Sequence, residues 1–180
     1  PKIVDVEAYA LQNACRLMTH QMPQGGDATV AVVDFGASTT TFSVLKNLNV
    51  VYTRDFAFGG SQLTEEIMRT YGLTFEEAGR AKKEGGLPSN YQPEVLDPFI
   101  DDMTQQVTRS LQFYMASGTG RENPQKILVC GGCANIPGVA DVIASRVGIE
   151  TERGDPLAQM KISSKAKAQG VRKDATALLT

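Results

Sequence analysis

Asp34 closes the apolar run Thr29-Val30-Ala31-Val32-Val33 and is followed by Phe35, Gly36, Ala37 and three hydroxyl residues, Ser38, Thr39 and Thr40. An acid at the end of a buried strand could hold a metal-bound water, because Mg2+ prefers oxygen ligands and keeps much of its hydration. Gly36 allows a tight turn that aims backbone N–H groups at a phosphate. An ordinary β-hairpin turn would use the same residues, since Asp and Gly are common turn formers. A second bend follows Ile127-Leu128-Val129-Cys130, where Gly131 and Gly132 lead through Cys133, Ala134 and Asn135 to Pro137. Proline is welcome in a first helical turn. The two glycines leave room for a flat base or sugar to lie on the backbone. Open α/β sheets bind ligands where a strand end meets the following helix. A plain tight β-to-α turn would again use the same letters.

Other groups that could do chemistry point to bland roles. Cys130 and Cys133 have zinc-like or redox-like spacing, but zinc needs about four ligands and no second Cys or His pair exists. The single histidine, His20, leaves little material for a Ser-His-Asp centre and reads as a surface cap at a helix end. Asp97, Asp101 and Asp102 fall near a helix start, where acids offset the dipole. Lys161, Lys165, Lys167, Arg172 and Lys173 lack interleaved aromatics, so they read as a solvated loop and not as a nucleic-acid site.

The elements that must position these residues follow from hydrophobic period. Residues 7–18 fit a helix with Ala10, Leu11, Ala14, Leu17 and Met18 on one face. The run at 29–35 reads as a strand buried on both faces. Residues 39–45 and 50–56 give two more strands around the turn Asn47-Leu48-Asn49, an antiparallel meander. Helices follow at 60–71 and 74–84, the second opened by the capping-box pair Thr74 and Glu77. The longest helix spans 93–116, with Val95, Phe99, Met103, Val107, Leu111 and Tyr114 on its apolar stripe and Pro98 delaying or kinking its start. A strand at 127–130, a helix at 138–147, a strand at 149–152, a loop at 161–173 and a last helix from 174 complete the order. A meander leading into β-α-β crossovers implies an α/β fold with a mixed β-sheet flanked by helices.

Composition bounds the rest. The chain has 180 residues with 18 basic and 20 acidic side chains. It is long enough for a real core, and its balanced charge gives no footprint for nucleic acid or an anionic membrane surface. No apolar run reaches the ~20 residues of a membrane-spanning helix, so no direct membrane insertion is expected. Three cysteines give no disulfide framework and fit a reducing cytoplasm. The start at Pro1 and the uncapped end at Thr180 read as the ends of a piece of a longer protein.

The two bends together carry a resemblance. Val32-Val33-Asp34-Phe35-Gly36-Ala37-Ser38-Thr39-Thr40 resembles the phosphate 2 loop of the actin, heat-shock chaperone and sugar-kinase superfamily, and Ile127 to Pro137 resembles its adenosine motif. Asp5-Val6-Glu7-Ala8-Tyr9-Ala10-Leu11, Phe58-Gly59-Gly60-Ser61-Gln62-Leu63-Thr64-Glu65-Glu66 and Glu76-Glu77-Ala78-Gly79-Arg80-Ala81-Lys82, in this order, are similar to the PilM family of type IV pilus assembly proteins, relatives of FtsA. The resemblance covers nearly the whole chain. It implies one lobe of an actin-like (ribonuclease H-like) ATPase fold over 1–180, the C-terminal half of a longer protein, with a helical insert at about 60–90.

By the same resemblance, Asp34, Gly36, Ser38, Thr39 and Thr40 fall where the family meets the β- and γ-phosphates and the metal-bound water. Asp5 falls near the polar residue that orients the attacking water. Gly59 and Gly60 match the turn before the helix that flanks the nucleotide. Lys82 matches a lysine that contacts the nucleoside, and Gly131, Gly132 and Ala134 match the purine-ribose platform. ATP and Mg2+ are the implied cofactors of the full-length protein. Two departures stand out: Gly79 replaces the acid usual three places before that lysine, and no first phosphate loop is present. One lobe without the other is expected to turn over no ATP, because closure of two lobes expels water from the phosphates. The resemblance further implies a cytoplasmic scaffold, peripheral to the inner membrane through partners. Those partners are the N-terminal peptide of PilN, bound mainly through the other half, and pilus motor ATPases, a PilZ-type regulator or further copies of itself. A lobe of a sugar- or acetate-kinase-type phosphotransferase is the alternative within the superfamily.

Overall fold

The computed structural model describes residues 4–23, 28–118, 122–161 and 163–165. Among them are helices α1 (Glu7–Leu17), α2 (Gly60–Tyr71), α3 (Phe75–Glu84), α4 (Asp97–Ala116) and α5 (Val139–Val147). The strands are β1 (Thr29–Phe35), β2 (Thr40–Lys46), β3 (Asn49–Phe56), β4 (Lys126–Gly131) and β5 (Glu150–Arg153). They form one sheet in the order β3-β2-β1-β4-β5. The meander β1-β2-β3 is antiparallel, whereas β1–β4 and β4–β5 are parallel. The mixed sheet expected from the period changes is therefore present.

β1 and β4 are buried along their whole length because helices cover both faces of the sheet there. On one face α1 sets Leu11, Cys15 and Met18 against Val30, Val32, Leu45, Leu128 and Cys130. On the other, Ala31, Val33, Phe35, Phe42, Val44, Ile127 and Val129 meet α2, α4 and α5 through residues such as Ile67, Met103, Val107 and Ile143. Each fully buried Leu, Ile or Met contributes roughly 1.5–3 kcal/mol relative to exposure. The α1 stripe differs from the expected one. Ala10 and Leu17 face solvent, and Cys15 takes the inner position because it sits four residues from Leu11 and three from Met18.

Local chemistry explains the joints. The two-residue hairpin Asn47-Leu48 has φ of 52° and 60°, the primed turn that matches strand twist. Gly72 ends α2 in the left-handed region. The Thr74–Glu77 capping box opens α3 with both reciprocal bonds present. α4 is entered through a π-helical turn at Gln92–Leu96, and Pro98 lies in its first α-helical turn. The expected proline effect is thus a widened turn before α4. All six expected stripe residues are buried, Val95 in the π-helical turn and the other five in α4. Among the described residues no helix is long and apolar enough to cross a membrane. The helix expected from 174 and most of the loop expected at 161–173 lie outside the described residues.

Candidate nucleotide-binding site

The register of β1 against β4 decides where the two bends lie. Asp34 pairs with Cys130 and Phe35 with Gly131, in parallel. Both strands therefore end on the same edge of the sheet, and the turns at Gly36 and Gly132 stand side by side. The first is a loop closed by the Gly36 N–H donating to the Thr39 carbonyl at 3.0 Å. Ala37, Ser38 and Thr39 are exposed on it, and among the described residues no group accepts the Ala37 or Ser38 N–H. The second is a 3-10 turn, Gly132–Asn135, with Gly132 exposed and Cys133 and Ala134 buried.

The start of α2 ties these parts together. Gly60 N–H donates to the Gly36 carbonyl at 3.0 Å, and Ser61 N–H to the Ala37 carbonyl at 2.7 Å. The first donors of α2 are thus satisfied by the loop after β1. Gly59 must be glycine for room, because a Cβ there would lie 2.5 Å from the Ala37 carbonyl oxygen. A Cβ on Gly60 would lie 3.3 Å from Cys133 Sγ and 3.7 Å from Lys82 Nζ. Lys82 of α3 therefore reaches the junction of both bends. Its ammonium donates to the Gly60 carbonyl at 2.9 Å and to Thr64 Oγ1 at 2.6 Å. Burial holds the Lys82 pKa below its ordinary value, with Cys133 opposing and Lys83 adding to the effect. Burial pushes the Cys133 thiol up to about 11, against the pull of Lys82 and with a push from Asp34.

The structure brings Asp34, Gly36, Ser38, Thr39, Gly59, Gly60, Lys82, Gly131 and Gly132 into this one neighbourhood. Three expected residues sit differently from the rest. The Thr40 hydroxyl is fully buried and donates to the Phe58 carbonyl at 2.8 Å, so it braces the turn into α2. Ala134 is buried and offers only backbone. Asp5 is exposed before α1, its carboxylate accepts the Val6 N–H at 2.8 Å, and no hydrogen bond or ion pair among the described residues ties it to the bends. Gly131 also has a reason within the fold: at φ 81° its missing Cβ would strike the Phe35 carbonyl and Asp34 Oδ1. At Gly132 nothing lies within 4 Å of that position, so the open space expected of the pair is at Gly132. Thr64 was not foreseen as part of the site. Its only signal is its place four residues after Gly60 on the inner side of α2, where a threonine hydroxyl bonds back to the earlier carbonyl.

The donor set fits a nucleotide. Lys82 is a half-buried cation that, among the described residues, pairs with no carboxylate. With the Ala37 and Ser38 N–H groups and two exposed hydroxyls, it makes an anion-seeking rim. Among the described residues no group of three or more His, Cys, Asp or Glu could hold a metal ion. Asp34 is the acid at hand in this neighbourhood for a hydrated Mg2+.

A five-stranded mixed sheet with this order, flanked by helices and carrying both bends on one edge, is an actin-like fold. Solved structures with the same fold include MreB5 of Spiroplasma citri bound to AMPPNP, at a TM-score of 0.61 and 18% identity, covering 84% of this chain and 55% of that one. EutJ from Carboxydothermus hydrogenoformans, an ethanolamine utilization protein, matches at 0.58 and 22%, covering 92% and 54%. The PilM-PilN type IV pilus biogenesis complex matches at 0.80 and 21%, covering 98% and 50%. The chain spans about half the length of each. The family of the type IV pilus assembly protein PilM matches residues 1–180, and the chain belongs to that family.

Proposed function

We propose that this chain is the nucleotide-holding part of a scaffold for type IV pilus assembly, in which ATP with Mg2+ stabilises a partner-binding conformation. The observation that carries the reading is the parallel β1–β4 register, which sets the Gly36 and Gly132 turns on one edge with Lys82 between them. In this arrangement the Ala37 and Ser38 N–H groups with Ser38 and Thr39 hold the phosphates, and Asp34 holds a metal-bound water. Gly132 supports the purine and ribose, Lys82 meets the nucleoside, and Asp5 orients water. Bound ATP supplies phosphate charge for these groups to grip. A ligand shifts a conformational equilibrium only by its differential affinity for the two states. The links through Gly60 and Ser61 give the site such a difference to act on. The MreB5 structure with AMPPNP supports nucleotide binding by this fold, and the PilM-PilN complex supports the PilN N-terminal peptide as partner. Pilus motor ATPases, a PilZ-type regulator and further copies of the chain are the other partners of the reading. The chain acts as one actin-like lobe with α2 and α3 as its helical insert, in a cytoplasmic assembly attached to the inner membrane through its partners.

The test is titration of the complete gene product with Mg2+ and a fluorescent ATP analogue, beside Asp34→Asn and Lys82→Ala variants. Capture by an immobilised PilN N-terminal peptide is measured with and without nucleotide. Saturable binding that both substitutions weaken, and capture that nucleotide changes, are expected. No saturation by about 1 mM nucleotide would overturn the reading.

A further inference from the structure

We infer that Thr64 is the positioning residue of this site, its buried hydroxyl and the Gly60 carbonyl together fixing the Lys82 ammonium at the junction of the two bends. The inference rests on the proposed nucleotide reading for its ligand, though not for its geometry. Thr64 is 3% exposed, in the interior of α2. Leucine or alanine would suit that position better by helix propensity and core packing. A buried hydroxyl is tolerated only when bonded. Thr64 Oγ1 donates to the Gly60 carbonyl at 3.2 Å and accepts Lys82 Nζ at 2.6 Å. The second bond has the short length of a charge-assisted one. Gly60 completes the triangle by accepting the same ammonium at 2.9 Å.

This triangle solves a problem specific to lysine. Its stem is flexible and carries large rotamer entropy, so an unheld Lys82 would be ordered only when a ligand arrived. Two neutral acceptors hold it beforehand without cancelling its charge and leave one of three N–H donors to spare. Such preorganisation raises affinity by removing a cost of binding. A carboxylate in place of Thr64 would also hold the lysine, but would repel phosphate.

The experiment has two arms, both on the complete gene product. First, amines are acylated competitively with acetic anhydride and followed by mass spectrometry, with exposed Lys83 as the internal standard. Thr64→Val keeps the shape and removes the hydroxyl, so Lys82 should react several-fold faster relative to Lys83. Thr64→Ser should behave as wild type. Thr64→Ala serves the same purpose if the valine variant does not fold. Second, Mg2+–ATP affinity should fall roughly tenfold in Thr64→Val, the ratio implied by losing one bond to a charged group. Affinity should return in Thr64→Ser, and Thr64→Val should lower it no further when added to Lys82→Ala. A merely structural role for Thr64 would give additive losses. Additive losses, or an unchanged Lys82 rate, would overturn the inference. If the wild-type protein binds no ATP, the nucleotide reading falls, and the acylation arm alone decides whether Thr64 positions Lys82.

Discussion

Replacing Gly131 and Gly132 by alanine, one at a time, separates what the fold requires from what a ligand requires. Gly131 has φ 81° and ψ −178°, a region open to almost nothing but glycine. Holding alanine there costs about 1–3 kcal/mol. The added Cβ would also strike the Phe35 carbonyl and Asp34 Oδ1. Both belong to the central, fully buried strand, so the forced shift adds about 1–3 kcal/mol. The sum, about 2–6 kcal/mol, is a large part of the ~5–15 kcal/mol by which a domain is stable. At about 2–4 °C per kcal/mol for this size, the thermal midpoint should drop by about 4–24 °C. Gly132 has no positive φ and nothing within 4 Å of its Cβ position. Gly132→Ala should therefore stay within about 0.5 kcal/mol of wild type in stability, while its methyl group lowers nucleotide affinity. Urea unfolding followed by circular dichroism reads the first effect, and nucleotide titration the second. A Gly131→Ala loss below about 1 kcal/mol, or equal losses in the two variants, would refute the reasoning.

Three further outcomes are expected. Thr74→Ala should cost about 1 kcal/mol through the lost cap and speed amide exchange in α3. The Thr74 backbone bond, and then its hydroxyl, hold the Glu77 carboxylate below its ordinary range. The cap's contribution should therefore be present above the usual glutamate pKa and be lost as pH falls through the lowered one, a slope that Glu77→Gln should flatten in α3 exchange rates. Ile67→Ala should destabilise by about 2–5 kcal/mol in urea unfolding, because Ile67 is fully buried on the inner side of α2. Burial pushes Cys15 up to about 12 and Cys133 to about 11, and Cys130 well above its ordinary value. A disulfide-type thiol reagent near pH 8 should thus leave the native protein almost unlabelled and titrate all three thiols in denaturant, whereas fast native labelling of Cys130 and Cys133 would favour redox chemistry.

The sheet and helices were legible because their periods were unambiguous. The apolar run ending at Asp34 and the stripe from Val95 to Tyr114 each admit one reading. The capping box was legible because two residue types at a fixed spacing make two reciprocal bonds. What escaped depended on contacts between distant segments. Cys15, not Leu17, faces the sheet because the rotation of α1 is set by Val32 and Leu128 beneath it. Thr40 reads as one of three hydroxyls at a phosphate turn, and only the fold shows that its hydroxyl donates to the Phe58 carbonyl, 18 residues away in the chain. The two glycines of the second bend look alike as letters. Only the parallel register with β1 shows that Gly131 is required by its neighbours and Gly132 is not. Thr64 has only its place four residues after Gly60 to mark it, and its bond to Lys82 comes from another helix.

The bonds from Gly60 and Ser61 to the loop after β1 give α2 the mechanics of a pointer hinged at its base. The helix has 12 residues and is thus about 18 Å long. A tilt of about 5° at the hinged end would carry the tip near Tyr71 by about 1.6 Å. A displacement of a few tenths of an ångström in the loop, too small to be noticed there, would be legible as a side-chain-sized change at the far surface, where Phe75 stands 59% exposed.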